Sequence, residues 1–165
     1  MTIDLISTFR DAFRGHPAGV TLITATVDSQ PVGIVLSSLS SLSLDPLSIS
    51  FSFMKRTGSA EKLLRADSLM VHFLSDSHAQ LAHAFSRPTP ERFTEAQGWS
   101  TAATGEPLLP DCRAVMRVRI IDTARAGEST LCAAEVLDIQ HDPTKSALLF
   151  MGHEFYSIAN IDPLA

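Results

Sequence analysis

VGIVLSSLSSLSLDPLSISFSF, residues 32–53, decides how the rest of the chain is read. Its first part, VGIVLSSLS (32–40), is apolar and β-branched and predicts a strand. The tract 36–46 is rich in serine, yet Leu36, Leu39, Leu42 and Leu44 punctuate it, so it does not have the make-up of a disordered linker. Asp45-Pro46 marks a turn, and LSISFSF (47–53) alternates apolar and small polar side chains with the two-residue period of a half-buried strand.

Working outward, GVTLITATV (19–27) predicts a strand that returns through the turn Asp28-Ser29-Gln30-Pro31 into the strand at 32. Before it, Ile6, Phe9 and Phe13 share one helical face, and Gly15 and Pro17 end that helix. Beyond residue 53, Ser59 opens and caps a short helix, SAEKLLRA, with Glu61 in its first turn. LMVHFLS (69–75) predicts another strand, and Ser77 with Gln80 has capping-box spacing for the helix SHAQLAHAFS. Segment 87–111 is rich in proline and reads as loop, with a brief helix at PERFTEA (90–96). CRAVMRVRIID (112–122) and TLCAAEVLDIQ (130–140) predict two strands joined by a turn at 125–128. LLFM (148–151) and FYSI (155–158) suit a last short pair around Gly152. The expected architecture is a single domain over 1–165, mostly β with short helices, built as an antiparallel barrel or sandwich.

Composition narrows the function. Hydrophobic residues make up 45% of the chain and charged residues 19%, apolar enough to suggest that another subunit buries part of the surface. With a net charge of −5 and scattered arginines, nucleic-acid binding is not expected. MTIDLISTFRDAF has no signal-peptide core and no segment is a membrane span, so a cytoplasmic protein with no membrane contact is expected. Cys112 and Cys132 form no CxxC pair and read as buried thiols.

Histidine spacing does not support a metal site: His78 and His83 are five apart and His153-Glu154 lacks the second histidine of HExxH. GxSxG is absent, and Ser59-Ala60-Glu61-Lys62 matches SxxK without its partner motifs. Neither GxGxxG nor a phosphate-loop pattern occurs. One phosphate-binding device remains: Thr57-Gly58-Ser59 stands at a helix start behind Lys55-Arg56. The same residues also suit an ordinary helix cap with solvated basic neighbours.

Several segments, in order along the chain, resemble the flavin-reductase-like family. FRGHPAGV (13–20) is similar to the family's opening, with Ala18 where threonine is usual. GIVLSSLSSLSLDP (33–46) resembles its serine-rich flavin segment and is the most specific match. FMKRTGSAEKL (53–63), AHAFSRP (82–88) with Glu91-Arg92-Phe93, AGESTLCAAEV (126–136) and the closing GHEFYSI follow.

The resemblance implies an FMN-binding split β-barrel with Greek-key, antiparallel strands, working as a homodimer. It implies FMN or FAD as cofactor, NADH or NADPH as co-substrate, and a partner monooxygenase that receives reduced flavin. Val35, Leu36, Ser37 and Ser38 would line the isoalloxazine, and Met54 and Lys55 the ribityl chain. Thr57 and Ser59 would hold the phosphate, while Phe85, Ser86 and Arg87 would form a loop over the flavin or the adjacent nucleotide. The cofactor carries the chemistry, so no side chain need act as a catalytic acid. Ser129 stands where the family has a histidine on the nicotinamide side; Val35 replaces a threonine and Met54 a polar residue. These departures keep a second reading open, a flavin-binding carrier or sensor with little nicotinamide-dependent turnover.

Overall fold

The computed structural model describes residues 4–87 and 91–163. Helix α1 (Leu5–Arg14) starts at Asp4, whose carboxylate accepts from the Ile6 amide at 3.1 Å, and ends at Gly15. Phe9 and Phe13 do share a face, their rings 4.7 Å apart, but no residue of α1 is buried.

The strand expected at 19–27 is two strands, β1 (Ala18–Gly19) and β2 (Thr21–Val27). Val20 divides them because its N–H donates to the Leu148 carbonyl while its own carbonyl accepts from Leu74. Asp28 and Ser29 both take positive φ, 52° and 60°, which gives the tight two-residue hairpin turn into β3 (Gln30–Leu36). The turn is therefore shorter than the sequence suggested, and Gln30 and Pro31 belong to β3. The chain bends at 37–39, and the serine tract then forms a strand of its own, β4 (Ser40–Leu44). A cis Asp45-Pro46 peptide leads into β5 (Leu47–Phe53).

Helix α2 (Ser59–Leu64) has Gly58 as its cap residue, so Ser59 is the first helical residue and does not cap it. β6 (Leu69–Phe73) follows, and the capping box before α3 (Ala79–Phe85) is Ser75 with His78 instead of Ser77 with Gln80. Buried Ser75, donating to the Asp111 carbonyl at 3.0 Å, fixes the turn two residues early. In the proline-rich segment, β7 (Ser100–Thr101) and β8 (Pro107–Leu108) pair. The helix expected at 90–96 begins outside the described residues; from Glu91 on there is only a 3-10 turn at Glu95–Gln97. β9 (Ala114–Ala126) and β10 (Ser129–His141) form a hairpin longer than expected, and Cys112 precedes β9 instead of lying in it. β11 (Leu148–Met151) and β12 (Glu154–Ser157) are the expected last pair.

Seven strands form one antiparallel sheet in the order β3-β2-β6-β9-β10-β5-β4, and β1-β11-β12 form a second. Alternation along β2 feeds two cores. Ile23 and Ala25 pack with Phe51, Phe53, Leu63 and Val71, and Leu22 packs with Leu74, Phe85 and Leu148. Among the described residues, no helix is long and apolar enough to cross a membrane.

Buried polar groups tie segment 99–110 to the sheet, among them Thr24, which donates to the Pro107 carbonyl at 2.9 Å, His72 and Glu106. His72 on β6 is fully buried; its Nδ1–H donates to the Leu22 carbonyl, and its Nε2 accepts from the Leu109 amide, both at 3.1 Å. A carbonyl can only accept and an amide only donate, so the neutral tautomer is fixed. Burial lowers the imidazole to about 4. Glu106 would be raised by burial, but hydrogen bonds from Ser68, Thr104 and Arg117 outweigh that and hold its carboxyl at about 2.

Candidate functional site

The seven-stranded sheet curls until its edge strand β3 lies across from β5, and a cavity of about 550 Å³ opens between them. One wall is Ile34, Val35, Leu36, Ser37 and Ser38; the other is Ser52, Phe53, Met54, Lys55, Thr57 and Ala60. No strand ladder joins the two walls. The Ser38 hydroxyl does so instead, donating to the Ser52 carbonyl at 3.2 Å and accepting from the Ser52 amide at 3.0 Å. Its proton is thus committed, and Ser38 can offer a ligand only a lone pair. Along β5, Phe51 goes to the core, Phe53 reaches both the core and the cavity, and the small Ser52 between them leaves space in the wall.

Seven of the residues singled out from the sequence meet here: Val35, Leu36, Ser37, Ser38, Met54, Lys55 and Thr57. Ile34, Ser52, Phe53 and Ala60 join them unforeseen; the alternating serines of β5 were the signal for Ser52. Ser59 faces a second cavity on the other side of the Thr57-Gly58-Ser59 turn. Ser86 borders a smaller hollow of about 150 Å³ that shares Val35, Leu36 and Ser37 with the first cavity and is closed by Val20, Phe150 and Phe155. Phe150 and Phe155 come from β11 and β12, which local sequence gave no reason to place there.

Phe85 is a correction. It is 3% exposed and packs on Phe93 and Trp99, with ring centroids 5.0 and 6.0 Å away, so it lies in the core and not over the cavity. The last turn of α3 points it inward because Leu81, Ala82 and Phe85 form that helix's buried face. Arg87 is exposed, and its carbonyl, like that of Phe85, accepts from the Arg92 guanidinium. Ser129, at the start of β10, reaches the Met54 carbonyl with its hydroxyl at 3.5 Å, the outer limit of a hydrogen bond. It therefore sits beside the cavity wall without lining it.

Chemically, the cavity offers an apolar face (Ile34, Val35, Leu36, Phe53) edged by hydroxyls, with Lys55 and Thr57 at one end. That set fits a flat heterocycle with a polar rim and a phosphate on a short tether. Nothing in it suits nucleophilic catalysis. Burial pushes the Cys112 and Cys132 thiols up to about 12 and about 11, and no trio of histidine, cysteine or carboxylate residues gathers among the described residues.

The family model "Flavin reductase like domain" matches residues 13–159. An NADH:FMN oxidoreductase of Rhodococcus erythropolis is 34% identical over 148 residues, covering 88% of this chain and 77% of that protein. An FMN reductase (NADH), RutF, of Bradyrhizobium diazoefficiens is 29% identical over 94% of this chain and 87% of its own length. A flavin reductase domain protein from Arthrobacter sp. FB24 superposes with a TM-score of 0.87 at 26% identity, over 98% of each chain. An NADH:FAD oxidoreductase of Streptomyces globisporus, solved with NAD and FAD fragments, has the same fold at 23% identity, with a TM-score of 0.87 over 99% of this chain and 98% of its own. With the cavity built from the residues that carry the likeness, the chain belongs to the flavin reductase like domain family.

Proposed function

We propose that this chain is an NAD(P)H-dependent flavin reductase that supplies reduced FMN or FAD, with a monooxygenase as the receiving partner. The observation that carries this reading is the cavity between β3 and β5, lined by residues 34–38 and 52–57 together. When bound, the flavin supplies hydride acceptance and onward electron transfer. Ile34, Val35, Leu36 and Phe53 give its ring a dry face. Ser37 offers a hydroxyl at the rim, and Ser38 a lone pair. Lys55 and Thr57 hold the phosphate, by charge and by hydroxyl. Ser86 and the Phe150–Phe155 wall adjoin the ring side of the cavity, where a nicotinamide has to approach. Ser129 stands beside the Met54 carbonyl on the nicotinamide side, with a hydroxyl where the family has an imidazole.

The protein works as a homodimer, which the exposed Leu5, Ile6, Phe9 and Phe13 of α1 support. Consumption of a nicotinamide nucleotide puts it in the cytoplasm. The serine at 129 favours the second reading, a flavin carrier with little turnover.

One assay separates the two. Purified protein with FMN or FAD in air is expected to deplete NADH or NADPH, followed at 340 nm, in a flavin-dependent way. Flavin binding with neither nucleotide oxidised would overturn the reductase and leave the carrier.

A further inference from the structure

Arg92 lies on the segment that follows α3, and its side chain turns back to the end of that helix. Its Nη2 donates to two carbonyls, Phe85 at 2.9 Å and Arg87 at 2.6 Å, the residues on either side of Ser86. Its guanidinium carbon stands 5.5 Å from the centre of the buried Phe85 ring. We infer that Arg92 is a positioning residue for nicotinamide binding: by clamping the backbone on both sides of Ser86, it holds that hydroxyl at the hollow bounded by Phe150 and Phe155. The inference rests on the proposed function, in which the nicotinamide approaches there.

The bonding differs from that of a solvated surface arginine. The last carbonyls of a helix have no partner within it, and a cation there is favoured by the helix dipole. Phe85 ends α3, and Arg92 supplies its carbonyl with a donor from outside the helix. Arg92 enters no ion pair among the described residues, and its Nε is buried without a hydrogen-bond partner. The guanidinium is therefore oriented by two backbone oxygens, even though that leaves one N–H unsatisfied. A planar fork with an aromatic ring beside it and two carbonyls at its edge is a stiff clamp.

Ser86 is where that stiffness matters. Its hydroxyl donates to the His83 carbonyl at 2.8 Å, so toward the hollow it offers only a lone pair. A lone pair selects a donor, and the carboxamide N–H is the donor that a nicotinamide ring carries. His83 also meets Phe155 edge-on, with ring centroids 4.7 Å apart, so the same helix end braces the aromatic wall opposite. An exposed helix end frays readily, and a hydrogen bond weakens steeply once its geometry drifts. Arg92 does not line the first cavity, so the flavin ring and its phosphate are not expected to sense its loss. It does border the cavity beyond the Thr57-Gly58-Ser59 turn, and the test separates a direct contact there from action through Ser86.

The experiments use the full-length protein. Amide exchange without ligand is followed in a peptide spanning 82–87, where Arg92→Gln is expected to speed exchange several-fold and Arg92→Lys to restore part of the protection. With FMN as acceptor, Arg92→Gln and Ser86→Ala should each raise KM for NADH about three- to ten-fold, with kcat and the FMN dissociation constant within about two-fold of wild type. The double variant decides. If Arg92 acts through Ser86, Arg92→Gln with Ser86→Ala is no worse than Ser86→Ala alone. Should Arg92→Gln unfold, Arg92→Lys carries the same cycle. Factors that multiply would overturn the inference and assign Arg92 a contact of its own, and an unchanged KM or an equal loss of FMN affinity would overturn it too. Each of those results leaves the reductase standing. A wild type that oxidises neither nicotinamide nucleotide would remove the proposed function, and this inference with it.

Discussion

Gly33 shows how tightly one position can be specified. A methyl group there would meet Phe85 Cε1 at 2.8 Å and Phe93 Cζ at 3.1 Å, contacts that neither ring can relieve without moving its neighbours. Gly33→Ala is expected to lower stability by about 1–3 kcal/mol, read as a shift in the urea midpoint at unchanged slope. An unchanged midpoint would mean that the rings retreat freely. The same crowding explains why Phe85 was misread from sequence. The family resemblance implied a loop over the ligand at Phe85, Ser86 and Arg87, and only the Phe85, Phe93 and Trp99 cluster beneath Gly33 shows which way Phe85 turns.

At the scale of elements, β6 is joined to β2 and to segment 99–110 through one imidazole. A histidine whose folded-state value is lowered, from 6.5 to about 4 for His72, contributes its stability fully above the unfolded value. That contribution is lost as pH falls through 6.5 toward 4, because the unfolded chain takes up the proton first. Between pH 7 and pH 5 the protein is expected to lose about 2 kcal/mol from this source. Urea melts at the two pH values check it, and a His72→Asn variant should lose markedly less on acidification. A wild type equally stable at both would contradict the buried neutral ring. The elements themselves were legible wherever the pattern was local. The hairpins β2–β3, β9–β10 and β11–β12 follow from apolar runs on either side of short turns, and LSISFSF carries its alternation openly. What was not legible depends on distant partners. Val20 breaks a good strand because Leu148 and Leu74 claim its backbone. Ser40–Leu44 becomes a strand because β5 lies beside it. The first cavity was half visible in the serine tract; the second needed α2, β3 and Arg92 brought together by the fold.

Across the whole molecule, the apolar composition has a visible outlet. Phe9 and Phe13 remain 62% and 61% exposed, and Leu44 and Leu131 on the sheet stay 90% and 50% exposed. A monomer rarely leaves so much apolar surface in water. On the proposal that the protein is a homodimer, the wild type sediments as a dimer, and Phe9→Ser with Phe13→Ser is expected to shift it to monomer in sedimentation velocity without unfolding it, since neither ring belongs to the core. A dimer that persists would place the interface elsewhere. The sheet order carries a consequence for how the protein is made. Both walls of the first cavity are encoded between Ile34 and Ala60, yet β5, which forms one of them, is held on its inner side by β10, residues Ser129–His141. On the ribosome those walls emerge long before the strand that braces them. On the proposed flavin reading, the ligand is therefore captured only after β10 has been made, and a nascent chain stalled before residue 129 would carry every side chain that lines the first cavity and still lack the strand that braces it.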